Sequence, residues 1–225
     1  MDKRVRRLAD DKKICFIYCV NDQKKLKKSL ETVKWLKVPS EFHIQHVFIE
    51  GASSMTSGYN SGMKETDAKY KIYIHQDVFI LNSNFLIDIV SLCNKYPQLG
   101  LLGVVGAKRL PINGVWWKGR EKYGKVYESS PGKMRLLRFR EVPEDYESVE
   151  AIDGLIMVTQ YDIPWREDLF KSWHFYDISQ CKEFQNAGFE VGIPRQEEPW
   201  VLHDCGIVSV KGYENERKLF LKHYK

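Results

Sequence analysis

No apolar run in the 225 residues approaches the ~20 that cross a bilayer, which excludes a transmembrane helix. Cysteine is scarce and odd in number. Cys15, Cys19, Cys93, Cys181 and Cys205 form no C-x-x-C pair and lie mostly inside apolar runs. That argues against a disulfide framework and for reduced thiols in a cytoplasmic setting. There is no internal repeat and no low-complexity tract. Residues 1–13 read as a basic arm, and the apolar run behind them, Ile14 to Val20, is too short and too soon interrupted for a signal peptide. A soluble, cytoplasmic protein is expected, with any membrane association peripheral and at the inner face.

What the chain does contain is enough for one α/β domain with a real core. Its net charge of +5 hides a local imbalance. Between Lys108 and Arg140 ten basic residues face only Glu121 and Glu128, a net of +8, and six acids with no base follow between Glu141 and Asp153. Such a segment suits a polyanionic ligand or is simply a solvated loop, and charge alone leaves both open. A nucleic-acid partner is disfavoured, because the aromatics are not interleaved with the basic residues as in single-strand binders.

The organising stretch is Tyr70 to Ile80, a buried strand whose apolar residues are interrupted by His75-Gln76-Asp77. Three polar side chains at a strand end need water, a partner or a ligand, because burying each unpaired costs roughly 1–3 kcal/mol. Before it, Ile14 to Val20 reads as a strand ending in Asn21-Asp22. Leu26, Leu30, Val33 and Leu36 mark one face of a helix, and His43 to Glu50 is a second strand. Strand, helix, strand with short turns is a βαβ unit with a parallel pair. Helices are expected from Ser57 to Thr66 and after Asn82-Ser83-Asn84, then a strand from Leu99 to Val105. Periodicity fails over 108–146, which reads as a basic loop insertion carrying Trp116-Trp117. A strand from Glu150 to Val158, a helix marked by Ile178, Cys181 and Phe184, a strand from Phe189 to Pro194, the Val201–Gly206 stretch and a basic helix over 211–225 complete the chain. The predicted architecture is a single α/β domain over 14–210, with a Rossmann-like, mainly parallel sheet of about four strands flanked by helices.

Parallel strands place their carboxyl ends on one edge of a sheet, where ligands bind. The polar residues at element ends are Asn21, Asp22, Glu50, His75, Asp77, Asp153, Asp177 and His203. In this order and spacing the chain resembles the GT-A fold glycosyltransferases of family 2, particularly the streptomycin-biosynthesis-type glycosyltransferase-like domain, from Ile14 to about His203. The resemblance implies a mixed, mainly parallel central sheet and the following site. Val20-Asn21-Asp22 is similar to the family's first nucleotide-contacting turn. Glu50 sits where an acid holds the base or ribose, and Asn60 matches an asparagine in the next helix. His75-Gln76-Asp77 takes the place of the D-x-D metal motif, with an imidazole for the first carboxylate. His203 resembles the late histidine that completes the metal site, which makes Asp77 and His203 the implied ligands and leaves His75 and Gln76 to the nucleotide sugar. Asp153-Gly154 resembles the acceptor-side D-G. Tyr176-Asp177 falls where the family has E-D, whose aspartate is the general base of inverting enzymes. The Q-x-x-R-W motif of processive synthases is absent.

What the resemblance implies is transfer from a nucleotide sugar, UDP-linked, to a glycan or glycolipid acceptor in polysaccharide biosynthesis, assisted by Mn²⁺ or Mg²⁺. The residue chemistry agrees. A carboxylate with an imidazole suits Mn²⁺ somewhat better than Mg²⁺. Lys108, Arg109, Lys118 or Arg120 can close on the phosphates, and Trp116 and Trp117 offer flat faces to a sugar. Plainer readings stand beside these: Asp177 as a helix N-cap, Glu50 as a turn residue, the tryptophans as core anchors. A non-catalytic nucleotide- or sugar-binding module on the same fold is the alternative.

Overall fold

The computed structural model describes residues 9–225. In chain order its elements are β1 (Asp10–Val20), α1 (Gln23–Val33), β2 (His43–Glu50), α2 (Met55–Lys64), β3 (Ala68–Ile74), β4 (Val78–Ile80), α3 (Phe85–Lys95), β5 (Leu99–Leu102) and β6 (Val105–Ala107). A 3₁₀ turn at Trp116–Lys118 precedes β7 (Lys122–Glu128), β8 (Arg135–Arg138), β9 (Tyr146–Ser148), β10 (Ala151–Ile152) and β11 (Ile156–Thr159). The chain then forms α4 (Tyr176–Asn186), β12 (Glu190–Pro194), β13 (Val201–His203) and α5 (Tyr213–Tyr224). Because β1 begins at Asp10, the end of the expected basic arm is strand. Its first eight residues lie outside the described residues.

The first sheet has seven strands in the order β2-β1-β3-β11-β5-β12-β9. Five run parallel, and β11 and β9 are reversed, which is the mixed, mainly parallel arrangement expected. β1 sits inside this sheet with Ile14, Cys15, Phe16, Ile17 and Tyr18 at zero exposure, as an unbroken apolar run covered on both faces requires. Asp22 caps α1, its carboxylate accepting from the Lys24 and Lys25 amides, and the Ser54 capping box starts α2. These caps hold the turns after β1 and β2 at the carboxyl edge.

A second sheet was not expected. It has six strands, β10-β6-β7-β13-β4 with β8 paired to β7. Three stretches that read as continuous strands are each divided between the two sheets. Tyr70 to Ile80 splits into β3 and β4 at His75–Asp77, Leu99 to Val105 into β5 and β6, and Glu150 to Val158 into β10 and β11 at Asp153–Leu155. The breaks meet along a seam, where the His75 amide donates to the Leu155 carbonyl (3.0 Å) and the Asp153 amide to that of Val105 (2.9 Å).

The 108–146 segment is likewise not a loop insertion, since it supplies β7 and β8 to the second sheet. Lys125 concealed this strand. It is 3% exposed, and its ammonium donates to the carbonyls of Gln196 (2.8 Å) and Glu197 (2.7 Å) and pairs with Glu141 at 2.9 Å. A lysine at an inward position erases the alternation that hydropathy reads.

Gly124 of β7 has a φ of +92°, and a Cβ there would collide with the Val104 carbonyl oxygen. A left-handed non-glycine residue costs about 1–3 kcal/mol before any clash. Gly124→Ala is therefore expected to lower Tm by at least about 2–4 °C per kcal/mol lost, read by thermal denaturation followed by circular dichroism.

Candidate active site

The seam places Asp77 at the centre of a half-buried cluster. Its Oδ2 accepts from the Lys25 ammonium at 3.1 Å, and its Oδ1 lies 3.4 Å from His203 Nε2. His203 arrives because β13 pairs antiparallel with β4, opposite Val78, and the Asp204 amide donates to the Asp77 carbonyl at 2.8 Å. His75 stacks edge-on to His203 with ring centroids 5.5 Å apart, and its Nε2 is 2.6 Å from the Tyr176 hydroxyl. One ligand atom from each of His75, Asp77 and His203 lies within 4.8 Å of the others.

Burial alone would raise the Asp77 carboxyl, but the His203 hydrogen bond, both imidazoles and Lys25 outweigh it and hold the group well below the usual carboxylate range. Burial and the His203 charge push His75 down to about 4. Burial also acts to lower His203, but Asp77, Asp153 and Glu128 carry it above its ordinary value. A neutral imidazole, a second imidazole and an ionised carboxylate suit a divalent transition-metal ion, and among the hard ions Mn²⁺ accepts such a mixed set better than Mg²⁺. The residues present thus fit the metal that the sequence implied, with His75 joining Asp77 and His203.

The residues expected on the nucleotide side gather on the same edge. Gln76 Oε1 accepts from the amides of Asn21 (2.9 Å) and Asp22 (2.8 Å), and its Nε2 bonds the Asn21 side chain. This ties the end of β1 to the break after β3. Val20, the last residue of β1, is buried and pairs in register with Glu50, whose carboxylate accepts from Gln23 at 2.7 Å. Asn60 is different. It is 3% exposed, its amide nitrogen donates to the Trp165 carbonyl (2.9 Å), and its oxygen accepts from the Trp165 amide (2.8 Å). The helix asparagine expected at the nucleotide therefore serves as a structural pin, with both polar atoms engaged.

Tyr176 and Asp177 open α4 directly after Phe175, which has a left-handed φ of 56°. Phe175, not Asp177, occupies the cap position, so the N-cap reading of Asp177 does not hold. Asp177 Oδ1 accepts from the Ile178 amide at 2.9 Å. Burial first, then repulsion from Asp153, raises its carboxyl to about 7 despite the helix-start amides. Asp153 sits between the two groups: its Oδ1 accepts from the Leu155 amide at 3.0 Å, and its charge acts on both His203 and Asp177. Gly154 packs against the Tyr176 hydroxyl so closely that no Cβ fits.

The tryptophan pair is divided. Trp116 is 5% exposed and anchors the core, so it offers no face to a ligand, whereas Trp117 is 46% exposed. Tyr213 of α5 links Trp117 (ring centroids 5.6 Å) to His174 (5.4 Å) and Phe175 (5.0 Å), just before Asp177. Of the basic residues expected near phosphate, Lys108 is bound to Glu147 and to the Ser148 carbonyl, while Arg109, Lys118 and Arg120 are exposed.

The sequence pattern of the Glycosyltransferase like family matches residues 15–224. The chain belongs to that family. No curated protein matches it. Among solved structures, S. aureus TarS (residues 1–349) in complex with UDP shares 11% identity at a TM-score of 0.55, covering 92% of this chain and 64% of that one. The same protein in complex with UDP-GlcNAc gives 9% and 0.52, with 86% and 58% covered. The mannosyltransferase PcManGT from Pyrobaculum calidifontis in complex with GDP-Man and Mn²⁺ gives 10% and 0.53, with 94% and 63% covered. The chain thus spans less than two thirds of the length of these neighbours, and the likeness establishes a shared GT-A fold. Among the described residues of this glycosyltransferase-family chain, no helix is long and apolar enough to cross a membrane.

Sequence reasoning did not find Lys25 or Tyr213. Lys25 is one of four lysines in a five-residue run, and only the pitch of α1 decides which meets Asp77. Tyr176 stood in the sequence as a departure from E-D, and its hydroxyl proves to bridge the helix of Asp177 to His75.

Because folding raises the Asp177 carboxyl to about 7, the native state binds its proton more tightly than the unfolded chain does. Its ionisation therefore costs stability that grows as pH rises from about 4 to 7. Asp177→Asn is expected to raise Tm at pH 8 by about 2–4 °C per kcal/mol relieved and to leave it nearly unchanged at pH 4, measured by calorimetry at both.

Proposed function

We propose that this chain transfers a sugar from a nucleotide-sugar donor, UDP-linked, to a hydroxyl of a glycan or glycolipid acceptor, with inversion at the anomeric carbon. The carrying observation is that the His75, Asp77 and His203 cluster and Asp177 meet around Asp153, which acts on both His203 and Asp177, while Tyr176, the residue before Asp177, places its hydroxyl 2.6 Å from His75. The UDP, UDP-GlcNAc and GDP-Man complexes of the structural neighbours support a nucleotide-sugar donor, and the Mn²⁺ in one of them supports metal assistance.

In this reading Asn21, Asp22, Gln76 and Glu50 receive the nucleoside. Asp77, His203 and His75 hold a divalent cation, which when bound supplies Lewis-acid neutralisation of the diphosphate. Lys25 leaves Asp77 and turns to the phosphate oxygens, giving a charge-assisted hydrogen bond. Asp177 accepts the acceptor hydroxyl's proton as that oxygen attacks the anomeric carbon from the face opposite the departing nucleotide. A carboxyl near 7 is a stronger base than an ordinary carboxylate and is substantially ionised at neutral pH. Trp117 and Tyr213 offer an aromatic platform for the acceptor, and Asp153 orients it, with Gly154 making room for Tyr176. The same reading puts the protein in the cytoplasm, peripheral at the inner face of the membrane where a glycolipid acceptor is used.

Turnover of UDP- and GDP-sugars with Mn²⁺ tests this. Asp177→Asn is expected to lower kcat by about 10²–10⁴ while leaving nucleotide affinity intact, and wild-type kcat/KM is expected to rise with pH to a plateau above about 7. Unchanged turnover in Asp177→Asn, or calorimetric nucleotide binding with no turnover of any donor, would overturn it, the latter in favour of a binding module.

A further inference from the structure

His203 also belongs to a second group of three potential ligating side chains, whose other two members, Glu128 and Cys205, take no part in glycosyl transfer. Glu128 ends β7 and His203 ends β13, and the two are direct Cα partners in a parallel pairing. Register partners in adjacent strands present their side chains on the same face. Cys205 follows two residues on, in a turn held by the Ser129 amide donating to the His203 carbonyl (3.1 Å) and the Gly206 amide to the Ser129 hydroxyl (2.8 Å). One ligand atom from each of Glu128, His203 and Cys205 lies within 4.8 Å of the others. All three are half-buried, so an ion has a path from solvent while the ligands stay ordered. The basic neighbour of Glu128, Arg135, stands off at 3.8 Å and is itself 56% exposed, free to swing away.

We propose that Glu128, His203 and Cys205 form a second cation site, selective for a soft divalent ion of the zinc class. Sulfur decides the selectivity: thiolate with imidazole and one carboxylate favours Zn²⁺ over the oxygen-seeking Mn²⁺ and Mg²⁺. Ligand atoms held tetrahedrally by one zinc at about 2.0–2.3 Å stand roughly 3.3–3.8 Å apart, so side-chain rotations that draw the cluster together by about 1 Å close it. Coordination releases the Cys205 thiol proton to solvent, and the fourth position stays open to water or an anion. His203 belongs to both clusters, and an ion at the second site competes for the imidazole that the Asp77 site uses. That coupling rests on the metal-assisted reading above; the second site itself does not.

Co²⁺, the spectroscopic stand-in for zinc, tests the site on the full chain in a non-thiol reductant. A thiolate-to-cobalt charge-transfer band should appear at one equivalent, be abolished by Zn²⁺ and persist in excess Mn²⁺. Cys205→Ser should lose the band, Glu128→Gln should weaken cobalt binding about tenfold or more, and Asp77→Asn should keep it, which separates this site from the first. On the unmodified protein, Zn²⁺ should protect Cys205, located by peptide mapping, from alkylation by iodoacetamide. Absence of the band, its survival in Cys205→Ser, or equal alkylation of Cys205 with and without Zn²⁺ would each overturn the proposal.

Discussion

A carboxylate drawn out of water must be matched where it sits, and Asp77 is the one on which this structure turns. The penalty for a partly buried charge is several kcal/mol unless partners replace its hydration. Here the partners come from elements distant in sequence: Lys25 from α1, His203 from β13, and His75 from the end of the preceding strand. Their demand for geometry explains why the chain breaks at His75–Asp77 and re-enters as β4 in another sheet. A continuous strand would have sent Gln76 and Asp77 to alternate faces of one sheet. The break turns Gln76 to the amides of Asn21 and Asp22 and Asp77 to its cations.

The seam between the sheets does for the second half of the site what the break does for the first. Asp153 and Gly154 lie at the division of β10 from β11, where the Asp153 amide and the Leu155 carbonyl are hydrogen-bonded across to the breaks of the other two runs. Tyr176 then crosses the seam, its hydroxyl against Gly154 and on His75, and fixes the start of α4 relative to the His75, Asp77 and His203 cluster. The left-handed Phe175 immediately before it is backbone strain of the kind that persists where surrounding contacts over-determine it.

The two aspartates illustrate how environment divides labour between like groups. Asp77, ringed by donors and positive charge, is held ionised far below neutrality, whereas Asp177, desolvated and facing Asp153, titrates near 7. Pairs of carboxyls pushed apart in this way separate a permanent anion from a proton acceptor. His203 carries the coupling, since Asp77, Asp153 and Glu128 all act on it. A change of charge on either side of that imidazole is felt on the other.

Much of this was legible in the residues themselves. The β1–α1–β2 unit follows from unbroken apolar runs, helix spacing and a capping aspartate, all of which are local and survive in one dimension. Polar residues ending apolar runs brought out His75, Asp77 and His203 among several candidates, because strand ends share an edge, and the family resemblance, not the pattern, singled out Asp77, Asp177 and His203. What needed the tertiary structure was everything decided by which sheet a strand joins. Periodicity could not divide Tyr70–Ile80 between two sheets, since both halves are equally apolar. It could not see β7, whose central lysine is buried on main-chain carbonyls contributed 71 and 72 residues later. Nor could it tell that Asn60 turns to Trp165, that Trp116 is core while Trp117 is open, or that Glu128 stands beside His203. Those outcomes depend on partners far along the chain, and a side chain's role is set by the partner that desolvates it.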